Sequence, residues 1–180
     1  MKNDKAENFL APGEIPQTGP VRRLPPLLRR AWYNLNQTFR RRIAHTGLTP
    51  DQYTILRLLS EGPPEGLTQR ELCERMCSDP NTMASLLSRM EKCNLLERRT
   101  HEDDRRAHRV SVLPEGRQHF VELRTIALDL QESILDAVPL KRREQFLLDL
   151  ERVADACQTQ LNAETSRQKG LGKKRKNDTV

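Results

Sequence analysis

Asn81, Thr82, Ser85, Ser88 and Arg89 recur at spacings that keep them off the apolar stripe of one helix, and Arg98, Arg99, Asp104, Arg105 and Arg106 crowd the segment that follows. Small hydroxyl and amide side chains donate to phosphate oxygens or reach base edges, and Asn and Arg can pair bidentately with adenine and guanine. Arginine on a polar hairpin tip suits a narrow minor groove, where negative potential is enhanced and width is read in place of base identity. Arg105 and Arg106 stand at that tip. The chemistry on offer is hydrogen bonding and charge pairing to duplex DNA, with no bond made or broken; Thr68 is expected to join these contacts, and Arg98, Arg99 and Arg105 are expected at phosphate. The sequence holds no Gly-rich phosphate loop, nucleophile elbow or paired His and Glu metal motif. His45, His101, His108 and His119 show no ligand spacing with the cysteines. No enzyme activity, cofactor or metal is expected.

The elements that must position these residues are readable on either side. Thr68 with Glu71 three positions on forms a capping box that starts a short helix, whose apolar stripe is Leu72, Cys73 and Met76. The chain turns at Cys77 and Ser78. Asp79 followed by Pro80 then caps and opens a second helix, with Met83, Leu86, Leu87 and Met90 inward. Asn94, tolerant of the left-handed conformation, ends it. Leu95 to Thr100 and Arg109 to Leu113 read as strands joined by the polar tip HEDDRRAH. Helix, turn, helix and arginine-tipped hairpin in that order predict a DNA-reading head.

The segments T-Q-R-E-L, P-N-T, L-L-S-R-M-E-K, L-L-E-R and D-D-R-R resemble the MarR-type winged helix-turn-helix transcription regulators, a resemblance that extends from about Leu24 to Leu161. It implies a mainly α fold with a small β-hairpin wing, in which first and last helices intertwine between two subunits. It also implies a homodimeric regulator, usually a repressor, that binds a pseudo-palindromic operator and is released by a small molecule or by cysteine oxidation. The family's D-x-R wing signature falls on Asp104 and Arg106, with the Asp orienting the Arg. By the same analogy an effector pocket is expected near Trp32, Tyr33, Phe39 and Tyr53. The family's peroxide sensors carry a reactive Cys near the N-terminus, and this chain has none there. Three positions depart from the pattern: Cys77 stands where the turn usually has Gly, Ser78 replaces an apolar residue, and Ser85 replaces a common Arg. Strain at the turn and fewer direct base contacts are expected.

The outer helices supply the expected dimer. Leu24, Leu28, Ala31, Leu35 and Phe39 predict an amphipathic helix over residues 25–45 ending before Gly47, with Arg40, Arg41 and Arg42 suited to its dipole. Thr49, Pro50 and Gln52 start another helix, with Tyr53, Leu56 and Leu59 inward, that ends near Gly62. Pro114 opens a helix with Phe120, Leu123, Ala127, Leu130 and Ile134 at seam spacing, Pro139 breaks it, and a last helix carries Phe146, Leu150, Val153, Cys157 and Leu161. The expected organisation is a disordered arm over residues 1–20, a dimerisation helix over 21–47, the winged helix-turn-helix over 48–113, dimerisation helices over 114–163 and a basic disordered tail over 164–180.

Charge alone does not carry the DNA reading. The net charge of +6 divides into nine basic against three acidic residues over 1–45, sixteen against twenty-one over 46–166, and six against one over 167–180. The centre is net acidic, so the motif carries the claim and the ends carry the charge. The KKRK run at Lys173–Lys176 reads as a DNA-tethering tail. No apolar run suits a membrane span or signal peptide, and the four cysteines form no disulfide-style framework, so a cytoplasmic location is expected. The reading is a sequence-specific transcriptional regulator, most simply a repressor, acting as a homodimer on an inverted repeat under effector control. The alternatives are a winged-helix protein-interaction module and a nonspecific DNA binder.

Overall fold

A computed structural model describes residues 23–100 and 108–177, with side chains described as far as residue 167. Leu24–Arg42 form α1, followed by a 3₁₀ turn at Ala44–Thr46. The remaining helices are α2 (Pro50–Ser60), α3 (Gln69–Arg75), α4 (Pro80–Lys92), α5 (Pro114–Leu135) and α6 (Arg143–Asn177), the last preceded by a 3₁₀ turn at Leu140–Arg142. Among the described residues three short strands complete the fold: β1 (Leu67–Thr68), β2 (Leu96–Thr100) and β3 (His108–Val112), antiparallel in the order β1-β3-β2. Two compact units result, divided after Leu123 within α5.

Local chemistry accounts for most boundaries. Thr49 and Thr68 each accept from the amide three residues on while Gln52 and Glu71 bond back to the cap amides, so both expected capping boxes form. Asp79 Oδ1 accepts from the Asn81 and Thr82 amides, each at 3.0 Å, with Pro80 at the first helical position. At the other end of α4, Asn94 adopts φ 56° and Leu95 N donates to Met90 O at 3.0 Å. That bond, with Asn94 N to Glu91 O at 3.0 Å, is a Schellman closure. α1 stops at Arg42, short of the expected residue 45, because the chain tightens into the 3₁₀ turn and leaves through Gly47 at φ 71°.

The first unit is built around Ile43, Ile55, Leu56, Leu67, Leu72, Met83, Leu87, Met90, Leu96, Val110 and Leu123, all fully buried. The stripes expected on α2 and α4 are its walls, and the aromatic rings of Phe39, Tyr53 and Phe120 close one side. Leu67 pairs with Val110 and Arg98 pairs with Val110 from the other side, so β3 is the central strand. β1 is an element the residue pattern does not announce, being two residues long.

Two expectations change in the second unit. On α5 the seam ends at Leu135, which is buried, while Ile134 is 45% exposed. The tail expected from residue 164 is helix as far as Asn177. Extending an existing helix adds one hydrogen bond per residue with no new nucleation cost, which offsets the low propensity of Gly170 and Gly172. The apolar residues of α6 (Phe146, Leu147, Leu148, Leu150 and Leu161) remain 40–61% exposed in the single chain. Residues 1–22, expected to include a disordered arm, lie outside the described residues.

Candidate nucleic-acid interface

The helix-turn-helix is fixed by contacts among its own backbone and side chains. After α3 the chain closes with Ser78 N donating to Cys73 O at 3.0 Å and Cys77 N to Glu74 O at 3.3 Å. This places Cys77 at φ 49°, the left-handed position that glycine fills without strain. The exposed Cys77 thiol leans toward Glu74 O at 3.9 Å. Gln69 Nε2 donates to Pro80 O at 3.2 Å, tying the start of α3 to the start of α4. No sequence signal distinguishes that cross-link from any exposed Gln.

α4 has one buried face and one polar face. Met83, Leu86, Leu87 and Met90 are at most 7% exposed, whereas Asn81, Thr82, Ser85 and Arg89 are exposed and Ser88 is half-buried. Positions 81, 85 and 89 follow one another at four-residue steps, so amide, hydroxyl and guanidinium form a row. Thr82 is partly engaged: its hydroxyl and then its amide bond to Asp79, and with the Asn81 amide they hold the Asp79 carboxyl below its ordinary range. An ionised Asp79 at the helix start also complements the helix dipole.

Thr68 is spent internally. Its hydroxyl donates to Glu71 Oε2 at 2.7 Å and accepts from Glu71 N at 3.2 Å. Its amide donates to the same carboxylate at 2.7 Å. These bonds lower the Glu71 carboxyl below its ordinary value, led by the one from the Thr68 amide. Thr68 therefore sets the angle of α3 and has no free hydroxyl proton to offer outward.

The wing stem is tied to α4. Arg98 Nε donates to Glu91 Oε2 at 3.0 Å, and its Nη2 makes a second, shorter contact to the same oxygen. The pair is about one-third exposed, and the hydrogen bonding lowers the Glu91 carboxyl and raises the Arg98 guanidinium. Of the arginines expected at phosphate, Arg98 thus clamps β2 to α4. Arg99 is 73% exposed and leans on Glu97 at 2.6 Å, an ion pair water can readily open. Asp104, Arg105 and Arg106 lie outside the described residues, as does His101. The strands bearing that tip hold a fixed register through Thr100 and His108, which are paired.

The four aromatic residues expected at an effector pocket divide. Phe39 and Tyr53 pack edge to face with centroids 5.0 Å apart, and Tyr53 stacks on Phe120 at 6.3 Å. Trp32 and Tyr33, on earlier turns of α1, are 64% and 56% exposed. Phe120 joins the cluster although its spacing reads only as a helix seam.

The comparisons with known proteins agree with this geometry. Residues 46–107 match the MarR family model, covering α2, the helix-turn-helix and the first wing strand β2. Among curated proteins, the transcriptional regulator HosA of Escherichia coli O127:H6 is 28% identical over 126 residues, which span 67% of this chain and 92% of HosA. Among solved structures, the MepR–DNA complex of S. aureus superposes with a TM-score of 0.68 at 18% identity, covering 73% of this chain and 96% of MepR. CouR of Rhodococcus jostii RHA1, in a structure bound to p-coumaroyl-CoA, gives 0.63 at 23% identity, covering 71% of this chain and 88% of CouR. The structural likenesses establish the winged-helix fold, and the family model and HosA align on the head that carries the polar row of α4. Residues 46–107 thus match the MarR family, and the chain has the winged-helix fold of the transcriptional regulators it is similar to.

Proposed function

We propose that this regulator is a repressor that binds an inverted-repeat operator as a homodimer, with α4 in the major groove and the wing arginines in the flanking minor groove. The polar row Asn81, Ser85 and Arg89, opposite a fully buried stripe and with its start fixed by Asp79, is the observation that carries the reading. Asn81, near the start of α4, and Arg89 are suited to base edges, while Ser85 and Ser88 suit phosphate or water-mediated contacts. Arg99, Arg105 and Arg106 are assigned to the DNA backbone and minor groove, with Asp104 orienting Arg106.

The dimer is supported by apolar surface the single chain leaves open. Leu24, Leu27, Trp32, Tyr33 and Leu35 of α1 and Phe146, Leu147, Leu148, Leu150 and Leu161 of α6 are 40–64% exposed. Isolated exposed apolar residues are ordinary, but a row of them along each of two helices marks a surface that associates. Twofold symmetry would then set two copies of α4 about 34–36 Å apart, one turn of DNA. An effector is assigned to the aromatic surface of Trp32, Tyr33, Phe39 and Tyr53; CouR, which shares the fold, is seen with p-coumaroyl-CoA.

Selection of random duplex DNA by the purified chain tests the proposal. An enriched inverted repeat with half-sites about one turn apart is expected. Enrichment of no sequence, or of a single unrepeated site, would refute it.

A further inference from the structure

Beyond the polar row of α4, we infer that Glu91 and Arg98 are positioning residues, a staple that holds the wing strands at the angle to α4 on which operator preference depends. This rests on α4 reading an operator. Successive side chains along β2 point to opposite faces. Leu96 is fully buried, and Arg98 shares its face two residues on, paired across the sheet with Val110, which is fully buried too. Glu97 and Arg99 take the other face, where they pair with each other. Arg98 is thus turned toward α4 and away from the face of Arg99, the residue assigned to the DNA backbone.

The corner between helix and wing is short, with Cys93, Asn94 and Leu95 between the end of α4 and the start of β2. Leu95 N to Met90 O and Leu113 N to Leu95 O, both 3.0 Å, fix the chain at the root of the wing. A tie at the pivot resists rotation poorly, whereas Arg98 lies about 10 Å along the strand from Leu95 and grips α4 from there. Its Nε donates to Glu91 Oε2 at 3.0 Å and its Nη2 to the same oxygen. Both side chains are about one-third exposed, so water and salt screen this pair less than they screen Arg99, which is 73% exposed. The Glu91 carboxyl is held below its ordinary range by Arg98 first, and His108 of β3 adds to the effect, so both wing strands bear on one residue of α4. Base-edge contacts are directional and need helix and wing presented together, whereas attraction to phosphate tolerates a loose angle. An angle set before binding also avoids the ordering cost of setting it on DNA. The staple therefore bears on preference between sequences more than on affinity for DNA as such.

The test measures the affinity of the full chain for a selected operator and a scrambled duplex, each at about 50 and about 200 mM salt, with folding checked by thermal unfolding. The variants are Glu91→Gln, Arg98→Gln and the charge-exchanged pair Glu91→Arg with Arg98→Glu. Both single variants should lose about tenfold of the operator preference, the scale of coupling within one ion-pair network. The two single changes shift net charge in opposite directions, so a shared loss is not a charge effect. The exchanged pair should regain most of the preference, and Arg98→Gln should leave the salt slope on the scrambled duplex unchanged. A phosphate contact at Arg98 would instead weaken both duplexes alike and reduce the log-log slope by about 0.9 per contact. That result, a preference kept by either single variant, or no recovery in the exchanged pair would each overturn the inference. If Arg98→Gln does not fold, Arg98→Lys keeps the cation without the two-nitrogen grip, and it should still lose preference at an unchanged slope; a kept preference overturns the inference there too. A parent chain that prefers neither duplex overturns the operator proposal and this inference together, whereas a parent preference that both single variants keep overturns the inference alone.

Discussion

At the level of single residues, the left-handed position of Cys77 carries a cost set by its side chain. A Cβ in this conformation costs about 1–2 kcal/mol, partly offset because a glycine loses more freedom on folding. Cys77→Gly should therefore stabilise the chain by roughly 0.5–1 kcal/mol in urea unfolding; destabilisation would show that the thiol or its contact with Glu74 O matters more than the backbone. Asn94 shares the conformation, but its residue type tolerates it, and the sequence marks it as a helix stop. Glu71 gives a prediction in pH. Its carboxyl is depressed in the folded chain, so its contribution is complete above the ordinary value of 4.5 and is lost as pH falls through the lower folded value. Urea midpoints followed from about pH 6 to about pH 3 should decline less steeply for Glu71→Gln than for the parent chain. An equally steep decline would remove Glu71 from the acid response. The caps were legible from single residues because their bonds join neighbours in sequence. Arg98 was not: its partner Glu91 is seven residues away across a helix end, and an Arg on a strand reads equally as a phosphate contact.

At the level of elements, the order of helices, turn and hairpin follows from caps and periodicity, while the approach of one element to another does not. Gly116 shows the difference. A Cβ there would fall 2.1 Å from Leu95 O and 3.0 Å from Leu56 Cδ2, so α5 lies directly on the backbone that leads into β2. Leu113 N also donates to Leu95 O at 3.0 Å, which fixes the start of α5 beside the wing. Gly116→Ala should cost about 1–3 kcal/mol, as overpacking of a close contact does, read as a lower thermal midpoint. Unchanged stability would mean that α5 shifts freely at this point. Nothing in a lone Gly within a helical pattern announces such an approach. β1 escaped for a related reason: two residues carry no alternation, and Leu67 and Thr68 become a strand only because β3 offers its free edge. The wing strands, by contrast, showed in their residue types.

At the level of the whole molecule, the apolar rows on α1 and α6 are the part of the sequence pattern that the single chain leaves unfilled. Each of Phe146, Leu150 and Leu161 continues the expected seam and each is at least 40% exposed. If the proposed dimer forms through this row, Leu150→Glu should shift the chain toward monomer in sedimentation and weaken operator binding together. A monomeric variant with undiminished operator affinity would separate dimerisation from recognition. Trp32 is the only tryptophan and is 64% exposed in the single chain, so its emission should move to the blue as protein concentration drives association.

The central claim is that α4 reads base sequence. Its most direct test is the affinity of Asn81→Ala for the selected operator and for a scrambled duplex, with folding checked by thermal unfolding. Asn81 is exposed beside the cap, and its amide bond to Asp79 survives the change. Loss of about 1–3 kcal/mol per half-site on the operator is expected, with affinity for the scrambled duplex unchanged. Equal losses on both duplexes, or no loss on either, would contradict sequence reading by this face of the helix.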